Sequence, residues 1–285
     1  MASGVTVVFG GGGVWGIGWL SGLVAGLARG GVDLAVADRM IGTSAGSVVA
    51  AQLAIGWSAE ALYERQVDPA KQTSELTPDP AKLAAIMALA TKPGLSRADR
   101  LREMCALART AATVPPKARR DTIVARLGGE DAAWPAKLVL TAVDRESEQL
   151  VTLDAASGIG LVDGIAASCA IPGLWPPVDA NGRCYLDGGI WRTPDNAHLA
   201  EGARAALVIS PMAGVPGLGE GLAEEVVDLT AKRVKVAVIT ADAAALATMG
   251  SDPLDPATRG PAAEAGLRQS AEALAAAAEI LAAAD

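Results

Sequence analysis

One serine stands in a setting suited to chemistry. Ile41-Gly42-Thr43-Ser44-Ala45-Gly46-Ser47 ends an apolar segment and runs straight into Val48-Val49-Ala50-Ala51-Gln52-Leu53. The chain therefore turns sharply from strand to helix at Ser44. G-x-S-x-G in that context is the nucleophile-elbow pattern. Gly42 and Gly46 leave the strained turn free of side chains, the turn lifts the hydroxyl out of the sheet, and the helix N-terminus favours negative charge beside it. A serine at its free pKa is a weak nucleophile and needs a base. Two candidates lie downstream. One is the single histidine, His198, with an acid such as Asp187, in the chain order Ser, Asp, His of α/β-hydrolases. Against it, the elbow comes early, with little sheet before it. His198 also falls in Thr193-Pro194-Asp195-Asn196-Ala197-His198, a helix-start pattern that suits a solvated or capping histidine. The other candidate is Asp187 alone. Asp187-Gly188-Gly189 follows a strand end, and its glycines let the carboxylate reach a close neighbour.

Upstream, GGGGVWGIGW at residues 10–19 follows the strand-like Val5-Thr6-Val7-Val8-Phe9. Gly11-x-Gly13-x-x-Gly16, with Asp38 about twenty residues on, fits a dinucleotide fingerprint. The same amides, of Gly11, Gly12, Gly13 and Val14, form an anion cradle at a helix N-terminus. Such a cradle suits a phosphate, or the oxyanion of an ester-cleavage intermediate. The plain alternative is a tight turn with no ligand.

Taken in order, four blocks resemble the patatin-like phospholipase family of serine lipid acyl hydrolases: Gly11 to Gly16, Gly42 to Gly46, Ala167-Ser168-Cys169-Ala170-Ile171-Pro172, and Asp187-Gly188-Gly189. The resemblance spans residues 5 to about 210. It implies a three-layer α/β/α fold with a central, mostly parallel sheet. It also implies a Ser–Asp dyad without histidine: Ser44 as nucleophile, Asp187 as base, and the Gly11–Val14 amides holding the oxyanion. No metal or organic cofactor is implied. The implied partner is a lipid or fatty acyl ester, met at most through transient contact with a membrane surface. A free carboxyl near pKa ~3.9 is a poor base for a hydroxyl, so the reading requires that burial raise Asp187. One residue departs from the family pattern. Arg or Lys commonly precedes the last glycine of the first block, and here Trp15 stands there; this favours neutral or fatty acyl esters over phospholipid. Two other readings remain open: a nucleotide-binding protein or dehydrogenase using the glycine loop and Asp38, and a catalytically silent lipid-binding relative.

The elements that would position these residues can be read from periodicity. Strand 5–9, the glycine loop and a helix near 14–29 are followed by a short strand near 34–41. The helix rests on Ile17, Leu20, Leu23, Val24 and Leu27 at three- and four-residue spacing. Together they form a β-loop-α-β start that favours a parallel α/β sheet. Residues 58–130, with proline-separated helical patches and dense Arg and Asp, read as a helical insertion on one side of the sheet. Strands resume at Lys137–Val143, Gln149–Leu153, Arg183–Leu186 and Ala205–Ser210, with a short helix at Val162–Ala170. The tail, 220–285, reads as helical over about 220–245 and 262–284, and Leu267, Leu274 and Leu281, on one face of its last helix, mark either packing on its own domain or a dimer seam. The whole chain, 1–285, is expected to form a single domain.

Composition bounds the rest. The 285 residues are 51% hydrophobic, and six of the nine aromatic residues are Trp. The mean hydropathy of +0.31 is ample for a sizeable core. A net charge of −8 argues against nucleic-acid binding and gives no help on anionic lipid. The three cysteines, Cys105, Cys169 and Cys184, show no zinc spacing and suit a reducing cytoplasmic setting, with Cys169 and Cys184 as small core residues. No run approaches the ~18 apolar residues of a membrane span, and the apolar start reads as a strand, not a signal peptide. Trp15, Trp175 and Trp191 lie close to the site blocks, where they form either an apolar mouth for an acyl chain or ordinary packing.

Overall fold

A computed structural model describes residues 3–129, 132–218 and 221–284. The last residue of the expected 58–130 insertion, the first of the 220–285 tail, its final residue Asp285, and Met1 and Ala2 lie outside the described residues. The β-branched run at the start forms β1 (Ser3–Phe9), which lies between β2 (Arg39–Gly42) and β7 (Ala203–Ser210). With β3 (Leu138–Asp144), β4 (Gln149–Leu153), β5 (Val178–Ala180), β6 (Arg183–Asp187) and β8 (Lys235–Thr240) they make one sheet of order β5-β6-β3-β2-β1-β7-β8, with β4 also paired to β3. β3, β2, β1, β7 and β8 are parallel. β4, β5 and β6 enter antiparallel at one end. This is the mostly parallel sheet expected from the sequence.

Alternation along the strands divides the core between two faces. Val5, Val7, Phe9, Leu207 and Ile209 pack beneath α1 (Gly13–Arg29), α2 (Ala45–Ala54) and α10 (Arg259–Leu281). Val8, Ile41, Ala206 and Val208 face α8 (Leu222–Ala231) on the other side. Period-two side chains thus send each strand into both helical layers.

The seam between α1 and α10 is made of small residues. A Cβ at Gly22 would fall 1.9 Å from the Ala263 carbonyl oxygen. The buried face of α10 includes Ala262, Ala263, Ala265, Gly266, Ala273 and Ala277. Leu267, Leu274 and Leu281 are only half-buried and flank it. The last helix packs on its own chain as expected, but through alanine and glycine, which let the two backbones approach.

Two local expectations are corrected. Residues 34–36 form a 3-10 turn and not the start of a strand. Asp33 accepts the Ala35 amide at 2.8 Å and diverts the backbone locally. Residues 220–245 are not continuous helix. α8 stops at Lys232, Arg233 takes a left-handed φ of 65°, and Lys235–Thr240 becomes the edge strand β8 before α9 (Ala243–Ala247). The β-branched residues of KVAVIT carry the strand, but β8 is exposed on much of both faces, which masked its periodicity.

Proline starts two of the four helices between 58 and 130 and does not merely separate them. α3 (Ala59–Val67), α4 (Pro80–Ala90), α5 (Arg97–Thr110) and α6 (Pro116–Leu127) begin at Ser58, Asp79, Ser96 and Pro115. Pro80 and Pro116 occupy the first helical turn, where a missing N–H costs nothing. α3 and α6 join the main core through Leu62, Ile123 and Leu127. α4 and α5 cluster separately with Leu174, Trp175 and Leu254.

Candidate active site

Ser44 sits at the hinge between β2 and α2 with φ 51° and ψ −117°. This region is costly for a residue with a Cβ, on the order of 1–3 kcal/mol, and persists only where packing enforces it. The enforcement is visible. A Cβ on Gly46 would lie 2.0 Å from the Phe9 carbonyl oxygen, so the elbow is pressed against the end of β1. Ser168 Oγ accepts the Ser44 amide at 3.0 Å. Ser47 Oγ donates to the Ser44 carbonyl at 2.6 Å, and Cys169 Sγ contacts the same oxygen at 3.3 Å. The 167–172 block therefore grips the serine's backbone. Its helix, α7 (Leu161–Ser168), ends there.

Asp187, at the end of β6, is 3% exposed and faces Ser44. Burial pushes its carboxyl up from 3.8 to about 6. The Gly189 amide, which donates to Oδ1 at 2.8 Å, the Ser44 hydroxyl and the charge on Arg119 hold it down in part. The elbow and the Asp-Gly-Gly loop are tied together by Asn196, whose Nδ2 donates to Thr43 Oγ1 at 3.2 Å and to the Gly188 carbonyl at 3.1 Å.

The glycine loop lies against the serine, with Gly11 packed on Ser44 Cβ. Its amides are not equivalent. Gly11 donates to the Pro194 carbonyl at 2.8 Å, Trp15 to that of Pro253 at 2.9 Å, and Gly16 to that of Gly12 at 2.8 Å. Among the described residues the amides of Gly12, Gly13, Val14 and Ala45 have no acceptor. These four donors, at the starts of α1 and α2, are the ones available to an anion; the expected contribution of the Gly11 amide is thus corrected.

A cavity of about 170 Å³ opens over Ser44 and Asp187. α4 and α5 supply Leu83, Ile86, Met87 and Met104 to its wall, so part of the 58–130 segment covers the site. Arg97, Arg100 and Arg192 also line it. Arg97 and Arg192 share one carboxylate, Glu224, at 3.3 and 3.4 Å. Of the three tryptophans read as a mouth, Trp191 lines this cavity and Trp175 a smaller one beside it. Trp15 is fully buried, stacked on Trp19 with centroids 6.4 Å apart, and its Nε1 donates to Thr248 Oγ1 at 2.9 Å. It is core, and lines neither cavity.

The structure does not bring His198 to the serine. It lies in a 3-10 turn, Ala197–Ala200, with Nδ1 3.1 Å from Glu225 Oε1, and lines neither cavity. It is partly buried and paired, where the sequence suggested solvated or capping. Asp38 is also remote from the glycine loop. Its Oδ2 accepts the Val5 amide at 2.7 Å, at the start of β1, whereas Gly11 follows that strand's end. A dinucleotide spanning both is therefore excluded by the sheet's own length. Cys105, Cys169 and Cys184 are buried and free. Burial raises each thiol, that of Cys184 to about 12. Among the described residues no helix is long and apolar enough to cross a membrane, and no His, Cys, Asp and Glu cluster could hold a metal. Reading the sequence missed Ser168's grip on the elbow, Asn196 and Arg119. Ser168 lay in a quoted block; the other two had no spacing to mark them.

The family model described as Patatin-like phospholipase matches residues 7–200. No curated protein sequence matches the chain. Among solved structures, VipD from Legionella pneumophila is similar over 97% of this chain and 67% of its own, at 13% identity and a TM-score of 0.47. The type III effector protein ExoU is similar over 97% of this chain and 53% of its own, at 16% identity and a TM-score of 0.44. The chain thus spans about two thirds of the first and about half of the second.

Proposed function

The chain belongs to the patatin-like phospholipase family, a family of lipid acyl hydrolases, and on that premise we propose that it cleaves acyl esters through Ser44 and Asp187. The observation that carries the reading is the pairing of a serine held at positive φ with a buried carboxylate raised to about 6, beside four backbone donors with no acceptor among the described residues. Ser44 Oγ forms a bond to the ester carbonyl carbon while Asp187 takes the hydroxyl proton. The carbonyl π electrons move onto oxygen, and the amides of Gly12, Gly13, Val14 and Ala45 receive that charge. Collapse breaks the bond to the alcohol, which leaves with the proton from Asp187. Water then repeats the sequence on the acyl-enzyme and frees the acid. Asp187 serves as base because burial brings its pKa toward the working pH, and it is ionised above about pH 6.

The substrate class follows from the cavity. Its walls are aliphatic and suit an acyl chain, while three arginines, Arg97, Arg100 and Arg192, line it against two carboxylates, that of Asp187 and that of Glu224, which Arg97 and Arg192 share. That excess of positive charge favours an acyl ester carrying an anionic group, a phospholipid, over a neutral ester. This reverses the preference inferred from Trp15. Labelling with a fluorophosphonate probe, followed by peptide mapping, tests the nucleophile; the label is expected on Ser44 and absent from Ser44→Ala. No label on the wild type refutes the reading. A panel pairing phosphatidylglycerol with diacylglycerol of the same chains tests the head group, and equal kcat/KM on both refutes that preference.

A further inference from the structure

Beside Ser44, on the side of the free amides, lies a second cavity of about 20 Å³. That is room for roughly one oxygen-sized guest. Gly13, Val14, Ser44, Ala45 and Arg119 all line it. Three of those residues carry the unpartnered amides, and Arg119 brings a guanidinium from α6.

Arg119 is 5% exposed, yet its side chain makes no hydrogen bond or ion pair among the described residues, and its Nε is buried with no partner. Among the described residues its guanidinium stacks on Trp175, whose ring centroid is 4.2 Å from the guanidinium carbon. Glu75 and Arg126 line the same cavity, and that carboxylate is already committed. Glu75 binds Arg126 at 2.5 Å and also pairs with Arg259. Three buried arginines thus surround one glutamate. Burying a cation without a partner is costly, and a neighbouring cation adds to the cost. Burial and Arg126 push Arg119 down to about 10, so it stays charged at neutral pH. The glycine loop, GGGGVWGIGW, carries no cation of its own.

We propose that Arg119 is a catalytic residue that supplies the positive charge facing the oxyanion in the small cavity, completing a hole whose other donors are backbone amides. The proposal rests on the Ser44 reading above. In the ground state the carbonyl oxygen is nearly neutral and Arg119 has no strong partner. In the tetrahedral intermediate the oxygen carries a full charge, so the guanidinium acts where charge develops and little before.

The test uses Arg119→Met, which keeps the length and apolar body of the side chain. The expected result is a loss of about 100-fold or more in kcat with KM changed less than threefold, as for loss of an oxyanion donor. The affinity for an alkyl trifluoromethyl ketone, which forms an oxyanionic adduct with Ser44, should fall by a similar factor. The melting temperature should hold or rise, because an unpaired buried charge has gone. Losing Arg119 moves the acidic limb of the pH profile upward under either role, since its charge lowers Asp187; a role confined to holding Asp187 ionised predicts in addition that kcat and inhibitor affinity return to wild-type values at high pH. That outcome overturns the proposal, as does a folded variant within threefold of wild-type kcat. If Arg119→Met does not fold, Arg119→Lys decides. It keeps the charge and should retain at least a tenth of the rate, whereas a hundredfold loss with wild-type circular dichroism overturns the charge-based role. Fluorophosphonate labelling of wild-type Ser44 separates the two levels. If the wild type does not label, the nucleophile reading fails and takes the inference with it. If it labels and hydrolyses while Arg119→Met is unimpaired, the inference alone fails.

Discussion

Replacing Asp187 by asparagine should stabilise the protein while abolishing its activity, and the two effects should separate with pH. Burial raises the Asp187 carboxyl from 3.8 to about 6. A group whose folded pKa is raised binds its proton more tightly in the native state. Its favourable contribution is complete below the unfolded value and is lost as pH rises through the folded one. Above about pH 6 the native state therefore carries the cost of a buried carboxylate, roughly 3 kcal/mol for a rise of this size. The asparagine amide would keep an oxygen for the Gly189 N–H but has no charge to desolvate. At about 2 °C per kcal/mol for a chain of this length, Asp187→Asn should melt about 6 °C higher than wild type at pH 8, and at the same temperature below about pH 4. Turnover at pH 8 should fall by about three orders of magnitude or more, since the base is gone. Thermal melts by circular dichroism from pH 4 to 8, with esterase assays on the same samples, measure both. A variant less stable at pH 8, or a melting difference that does not vary with pH, would refute the claim that burial sets this pKa.

The remaining predictions address the partners and the frame. Ser44→Ala should abolish esterase activity in a folded protein, and the Ser44→Ala/Asp187→Asn double variant should lose little more, because the two act as a unit; multiplying losses on a p-nitrophenyl ester would contradict this. His198→Ala should change kcat less than about fivefold, since His198 lines neither cavity, yet lower stability by about 1–3 kcal/mol because Glu225, fully buried, loses a partner; a thousandfold loss in a folded variant would restore a histidine triad. Gly22→Ala should cost on the order of 3 kcal/mol or prevent folding, because its Cβ would meet the Ala263 carbonyl at 1.9 Å and backbone must move. Urea denaturation checks it, and a loss below about 1 kcal/mol would show that the α1–α10 seam is loose.

The candidate site was largely legible in the sequence because its core is local. Glycines flanking Ser44 after an apolar segment mark the elbow, whose positive φ the surrounding packing then enforces, and Asp-Gly-Gly after a strand marks a carboxylate with room beside it. Apolar runs gave β1, β3, β4, β6 and β7, three-to-four spacing gave α1, and leucines at seven-residue spacing marked α10, whereas the three-residue β5 was not read. Where that periodicity was diluted, as in the half-exposed β8, the pattern misled.

What the chain determined alone, then, is backbone conformation over a few residues and which face of an element is apolar. Tertiary structure decided which of those local features meet. Gly11 and Gly13 are equal in sequence, but Pro194, far along the chain, takes the Gly11 amide and leaves that of Gly13 free. Trp15 sits one residue from a free amide and still turns into the core, because the α1–α10 side of the sheet has space for it. Arg119 looks like one more surface cation in Lys117-Ala118-Arg119-Arg120-Asp121, and only the docking of α6 buries it beside Ser44. A contact between distant segments has no spacing by which to announce itself. It exists only once burial of the apolar faces has fixed where each helix lies on the sheet.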